Sequence, residues 1–229
     1  MMISENLKII REKIKGACLR SGRSVDQVKI VAVSKTVDVP AVEEAIDAGI
    51  TIIGENRVQE AWRKFQKIER PVQWHLIGHL QTNKVKRALQ FADVIESVDS
   101  IHLAKEINLR AQERGKAVEV FVEVNTSGEA SKFGVHPDAL VDFLYGIADL
   151  HYLRVTGLMT VGAFLPEPER VRPCFSLLRQ LRDKGNAAQI AKIELEHLSM
   201  GMTNDFEVAV EEGATHVRIG RAIFGEREK

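Results

Sequence analysis

The chain is expected to fold as a single (β/α)8 TIM barrel, an α/β architecture, on three observations. Apolar runs of strand length alternate with helix patterns eight times, and each crossover is long enough to return the next strand in parallel. The length, 229 residues, suits one such domain spanning 1–229. A doubly wound open sheet is the competing arrangement, but no GxGxxG turn follows the first strand.

The elements follow in order. Ser4 is placed to cap a first helix with an apolar face of Leu7, Ile10, Ile14 and Ala17/Cys18, ended by Gly22. Val28–Val33 is mostly β-branched and apolar, as in a strand buried on both faces. Pro40 starts a helix with Val42, Ala45 and Ile46 on its face, and Gly49 stops it. Thr51–Gly54 is the second strand, followed by a helix through Val58, Ala61, Trp62, Phe65 and Ile68. Gln73–Ile77 is the third, followed by Val85, Ala88, Leu89 and Ala92 at helical spacing. Asp93–Val98 is the fourth, and Ser100 caps a helix through Ala104, Ile107 and Ala111 to Gly115.

The second half repeats the theme. Val118–Val124 has valine at every even position, and Pro137 opens a helix with Leu140, Phe143, Leu144 and Ile147. Arg154–Thr160 is the sixth strand, and Pro173 opens a helix with Phe175, Leu178 and Leu181. Ile193–Ser199 is the seventh, before a short helix around Phe206, Ala209 and Val210, and Thr215–Ile219 is the eighth. Only about ten residues remain after it, too few for a full eighth helix, so the N-terminal helix is expected to cover that part of the barrel.

Composition narrows the function. Hydrophobic residues make up 45%, enough for one good core, and 32 basic residues balance 32 acidic ones. No basic excess points to nucleic acid, and no apolar run is long enough to span a membrane. Met1 to Leu19 carries charges throughout, unlike a signal or transit peptide, so a cytoplasmic location is expected. Cys18 and Cys174 fall at apolar helix positions with no metal or redox spacing, and read as core residues in a reducing compartment. No metal site is expected.

In such a barrel the reactive residues sit where strands end. Those ends give Ser34-Lys35-Thr36, Gly54-Glu55-Asn56, Gly78-His79-Leu80-Gln81, Asn125-Thr126-Ser127, Met159-Thr160, Ser199-Met200-Gly201 and Arg218-Ile219-Gly220-Arg221. Lys35 follows a buried strand. Desolvation there would lower its pKa and free its amine to form a Schiff base with an aldehyde. The simpler reading is a surface cation snorkelling from a loop. Loops after strands seven and eight of these barrels often bind phosphate through backbone N–H groups. Ser199, Met200, Gly201, Gly220 and Arg221 occupy those loops. Strand alternation puts His216, Arg218 and Gly220 on one face, so Arg218 points into the mouth if Val217 and Ile219 face the helices. A phosphate pocket with an inward lysine and arginine suits pyridoxal 5′-phosphate (PLP).

AVSKT at Ala32–Thr36, GEN-V-QE at Gly54–Glu60, WHLIGHLQTNK at Trp74–Lys84, LSMGM at Leu198–Met202 and VRIGRAIFG at Val217–Gly225 together resemble the PLP homeostasis protein family. The resemblance covers essentially the whole chain. It implies a fold similar to the N-terminal barrel domain of alanine racemase, without that enzyme's second domain. It further implies PLP as an internal aldimine on Lys35, Asn56 beside the cofactor ring, and Arg218 facing the pyridine nitrogen. Ser199, Met200, Gly201, Gly220 and residue 221 would hold the phosphate. The family usually has Ser or Thr where this chain has Arg221, often Pro in place of His79, and commonly Asp in place of Asn204.

Three functions compete on these residues. The first is a carrier of PLP without turnover, monomeric, with PLP-dependent apoenzymes as candidate partners. The second is a PLP enzyme such as a racemase or decarboxylase. The third is a cofactor-free Schiff-base aldolase for a sugar phosphate. A racemase needs a second base opposite the lysine. Tyr145 and Tyr152 lie in or beside the helix before strand six; His79 and His197 are the possible stand-ins, of which His197 shares a strand face with Ser199 and reads first as a barrel histidine, and His79 sits on the rim. The carrier is the expected function, with no catalytic residue assigned.

Overall fold

The computed structural model describes residues 2–225; Met1 and residues 226–229 of the expected domain lie outside the described residues. The chain runs α1 (Ile3–Ser21), β1 (Lys29–Val33), α2 (Val39–Asp47), β2 (Ile52–Glu55), α3 (Val58–Phe65), β3 (Gln73–Leu76), α4 (Val85–Ala88) and β4 (Val94–Val98). It continues α5 (Ile101–Glu113), β5 (Val118–Glu123), α6 (Leu140–Ile147), β6 (Leu153–Met159), α7 (Arg172–Ala187), β7 (His197–Met202), α8 (Phe206–Glu211), β8 (His216–Ile219) and α9 (Arg221–Phe224). The strands pair in sequence order, all parallel, and β1 pairs with β8 to close the barrel.

Two layers result from the period-two alternation of the strands. One face of each strand meets the helices: Ala32, Ile53, Leu76, Ile95, Val120, Leu158, Leu198, Val217 and Ile219 belong to one continuous apolar core with the helix faces. The other face fills the barrel, and it is unusually polar. A small apolar cluster of Val94, Phe121 and Met159 is joined there by His75, His197 and His216. The His216 ring centre lies 5.7 Å from that of His75, 5.6 Å from Phe121 and 5.1 Å from His197, so β3, β5, β7 and β8 meet across the lumen.

The first helix behaves as expected. Leu7, Ile10, Ile14, Ala17 and Cys18 are its buried face, and it packs on α8, α9 and α2. Asn6 Nδ2 donates to the Ile223 carbonyl at 2.9 Å, tying α1 to the four-residue α9. Thus α1 closes the gap that a full eighth helix would occupy. Cys18 and Cys174 are both free and buried. No helix among the described residues is long and apolar enough to cross a membrane.

Two expectations need correction. Ser4 does not cap α1: the helix begins at Ile3, and Met2 stands at the cap with no side-chain bond. The seventh strand runs His197–Met202, not Ile193–Ser199. Asn186 explains this, since its side chain donates to Leu195 O at 3.1 Å and accepts from Leu195 N at 2.8 Å. The apolar alternation of Ile193 and Leu195 therefore packs beneath α7 and outside the sheet. Ser199 is consequently mid-strand. A bulge follows it, because Ser199 pairs with His216 and Met202 with Arg218, three residues advancing against two.

Candidate functional site

At the C-terminal mouth, Lys35 lies two residues beyond β1 and is exposed. The desolvation inferred from the buried strand is therefore absent. What the structure supplies is an anchored loop. Ser34 is fully buried, and its hydroxyl donates to Glu55 Oε1 at 2.6 Å. Thr36 adopts φ 63°, a left-handed conformation uncommon for a β-branched residue, with its N–H bonded to Glu60 Oε1 at 2.5 Å. Lys35 itself has no hydrogen bond or ion pair among the described residues, so its side chain is untethered.

Asn56 follows β2 directly, and its Oδ1 is buried without a hydrogen-bond partner among the described residues. Gly78, just beyond β3, lets two loops touch: any side chain there would overlap the Asn56 backbone. An orphaned acceptor on the rim beside the Lys35 loop is what a group completed by a ligand looks like.

Arg218 is placed as expected, inside the barrel and 4% exposed. Its guanidinium donates to Ser199 Oγ at 2.7 Å and to the Thr160 carbonyl at 2.6 Å. Ser199 Oγ in turn donates to Glu96 Oε2 at 2.5 Å, and Glu96 Oε1 meets His75 Nδ1 at 2.5 Å. Burial alone would raise the Glu96 pKa. The His75 hydrogen bond and the charges of His75, Arg218 and His216 outweigh it and hold the carboxyl near 2. His216 goes the other way, pushed down to about 3 chiefly by burial. A buried arginine is thus matched by a buried, ionised glutamate.

This network engages the Ser199 hydroxyl, which accepts from Arg218 and donates to Glu96. Met200 is fully buried in the layer under the helices, so its side chain faces away from the mouth. Gly201 has φ 87°, and a side chain there would overlap Ala209 of α8, so the chain can pass close to the start of that helix only as glycine. Met202 N donates to Asp205 Oδ1 at 2.6 Å, which fixes the same loop. Gly220 precedes α9, whose first internal bonds are donated by Ile223 and Phe224. The N–H groups of Arg221 and Ala222 therefore have no hydrogen-bond partner among the described residues. The Arg221 side chain is exposed at this helix start.

The far side of the mouth is acidic. Glu123 ends β5, is 7% exposed, and is raised to about 7 by burial and then by Asp99, against the pull of Arg218. His79 Nδ1 lies 3.2 Å from Asp99 Oδ2, and the His79 ring stacks on Phe133 at 3.9 Å. His79 is on the rim as expected, whereas His197 lies in the lumen beside Phe121 and His216. Tyr145 donates from its hydroxyl to the Ala188 carbonyl on the exposed outer surface. Among the described residues no cluster of three or more His, Cys, Asp or Glu side chains is arranged to hold a metal ion.

Comparison with known proteins fits this geometry. A family model described as "Alanine racemase, N-terminal domain" matches residues 3–228. The pyridoxal phosphate homeostasis protein of Aquifex aeolicus is 43% identical over 229 residues, covering 100% of each chain. This chain belongs to the pyridoxal phosphate homeostasis protein family. The homeostasis protein of Escherichia coli is 36% identical over 230 residues, taking in 99% of this chain and 97% of its own. Among solved structures, PipY of Synechococcus elongatus with PLP bound is 33% identical with a TM-score of 0.84, covering 98% of this chain and all of that one. The motifs that suggested the homeostasis family, from AVSKT to VRIGRAIFG, are the segments that form the barrel mouth.

Sequence reasoning missed Glu96, Glu123 and Asp99 as parts of the site. Glu96 carried a signal: a glutamate inside an apolar strand buried on both faces needs a buried partner.

Proposed function

We propose that this protein binds PLP in intracellular PLP homeostasis, holding it as a Schiff base on Lys35 without turnover of its own. The observation that carries the proposal is the state of Lys35. It is an untethered side chain on a loop pinned at both neighbours, in a family whose members are named for this cofactor and which resembles a PLP-bound structure. When bound, PLP supplies an aldehyde for the lysine and a ring that can stabilise negative charge. Asn56 Oδ1 would gain a partner beside the ring, and Arg218 would face the ring nitrogen. The phosphate would meet backbone N–H groups of Met200, Gly201, Arg221 and Ala222, with the Arg221 side chain adding charge.

Arg218 supports a carrier over a catalyst. A guanidinium donates only and stays charged, so it disfavours a protonated pyridine and leaves the ring a weak electron sink. Glu96 balances the Arg218 charge from below, through Ser199. On this reading the protein is a cytoplasmic monomer that hands PLP to apoenzymes. A racemase-like activity is the competing reading, and it would need His79, with Asp99 behind it, to move a proton from the rim.

The test is deuterium exchange at Cα of a panel of amino acids in heavy water, with the PLP-loaded protein and Lys35→Ala as blank. The carrier reading expects the blank rate. Exchange that depends on Lys35 at ordinary enzyme rates, lost in His79→Ala, would overturn it.

A further inference from the structure

Beneath the Lys35 loop, outside the barrel wall, lies an ion cluster that the proposed cofactor chemistry does not use. Lys64 of α3 is 6% exposed and points inward under the β1 and β2 ends. Its ammonium meets three acceptors: the Ser34 carbonyl at 2.5 Å, Glu55 Oε1 at 2.6 Å and Glu60 Oε1 at 2.8 Å. An ammonium has three N–H donors, so every one is matched. Both carboxylates reach on to the residues flanking Lys35. Glu55 Oε1 also accepts from the Ser34 hydroxyl, and Glu60 Oε1 also accepts from the Thr36 N–H.

We infer that Lys64 is the positioning residue for Lys35, holding both of its neighbours so that only the Lys35 side chain is left mobile. This rests on the reading of Lys35 as the PLP-bearing residue. The chain of contacts explains two features that otherwise stand alone. Thr36 holds a left-handed φ of 63° without a glycine's freedom, and such strain persists only where the surroundings fix it. The Glu60 bond to its N–H supplies that constraint. Ser34 is held twice, by its carbonyl on Lys64 and its hydroxyl on Glu55. Lys64 could not be the reactive amine in place of Lys35, because all its donors are engaged and it is buried. Lys64 and Lys35 thus divide one task, a fixed cation beneath and a free one above.

A merely structural Lys64 would stabilise the barrel without affecting covalent capture. The experiment separates the two by mixing the folded protein with PLP and following the rise of the Schiff-base absorbance. In parallel, affinity is measured for pyridoxine 5′-phosphate, which fills the same pocket but has no aldehyde. In Lys64→Met, and in Glu60→Ala at the half-buried partner, capture should slow by about ten- to a hundredfold, the scale expected when a reacting group is displaced by an ångström. Affinity for pyridoxine 5′-phosphate should stay at the wild-type value. Capture at the wild-type rate would overturn the inference, and so would loss of capture and analogue binding together. Where Lys64→Met does not fold, Glu60→Ala decides alone. Capture that persists in Lys35→Ala would instead remove the reading of Lys35, a result distinct from either.

Discussion

Arg218 and Lys35 are both cations at strand ends on one barrel mouth, yet the two sides of the mouth treat them in opposite ways. On the β7–β8 side the charge is locked. Arg218 is 4% exposed, bonded to Ser199 and Thr160, and balanced by an ionised Glu96 through a shared hydroxyl. On the β1–β2 side the backbone is locked and the charge is free. Ser34 and Thr36 are tied to a buried cluster of Lys64, Glu55 and Glu60, while Lys35 reaches into solvent. On the proposed reading, holding PLP on Lys35 would call for both: a fixed charge to orient the ring and a mobile side chain to capture it. Burial would decide which cation takes which part.

The largest effect should come from breaking the locked side. Glu96→Ala leaves Arg218 buried without its counter-charge, which should cost about 3–5 kcal/mol in urea unfolding. The pH dependence follows the same group. Glu96 sits near 2 when folded against an ordinary 4.5, so its contribution is present above 4.5 and is lost as pH falls toward 2. Unfolding of the wild type should steepen over that acid window, and unfolding of Glu96→Ala should steepen less.

Glu123 gives the opposite sign on the acidic side of the mouth. Its folded pKa of about 7 lies above the ordinary 4.5, so stability is full below 4.5 and falls as pH rises toward 7. The fall should amount to at most about 3 kcal/mol. Glu123→Gln should flatten the profile between those limits and leave the variant more stable than wild type at pH 8. An unchanged profile would mean that Glu123 is not the group titrating there.

The fold was legible because its signals are local. Strand-length apolar runs, Pro and Gly punctuation, and the Ser100 cap, which accepts from Leu103 N at 3.3 Å, needed no tertiary information. The seventh strand was misread because Ile193 and Leu195 alternate like strand residues, and only the distant Asn186 side chain keeps Leu195 out of the sheet. The mouth residues were legible from barrel topology, and Arg218 from alternation against Val217 and Ile219. The environment of Lys35 was not. A buried strand implied a buried lysine, but the chain turns outward at Thr36, and the anchoring Lys64 sits on another element. Ser199 likewise read as a loop hydroxyl until Glu96, 103 residues away, occupied it.

A smaller effect should come from Arg221. A charge-assisted bond to phosphate exceeds what a threonine hydroxyl gives, so Arg221→Thr should weaken PLP affinity several-fold, more at low salt than at high. Equal affinity would leave the phosphate to the backbone N–H groups alone. Smallest of all is the stability change in Lys35→Ala. An exposed, unbonded side chain should alter unfolding by no more than about 0.5 kcal/mol, which would confirm that the Lys35 side chain itself bears no structural load.

The same Lys35 decides the whole account. Reduction of the PLP-loaded protein with borohydride fixes a Schiff base irreversibly, and peptide mapping then shows which lysine carries the label. The label is predicted on the peptide containing Lys35, with none on Lys64 and none anywhere in Lys35→Ala. A label on another lysine, or a full label remaining in Lys35→Ala, would contradict the assignment of the mobile amine to Lys35.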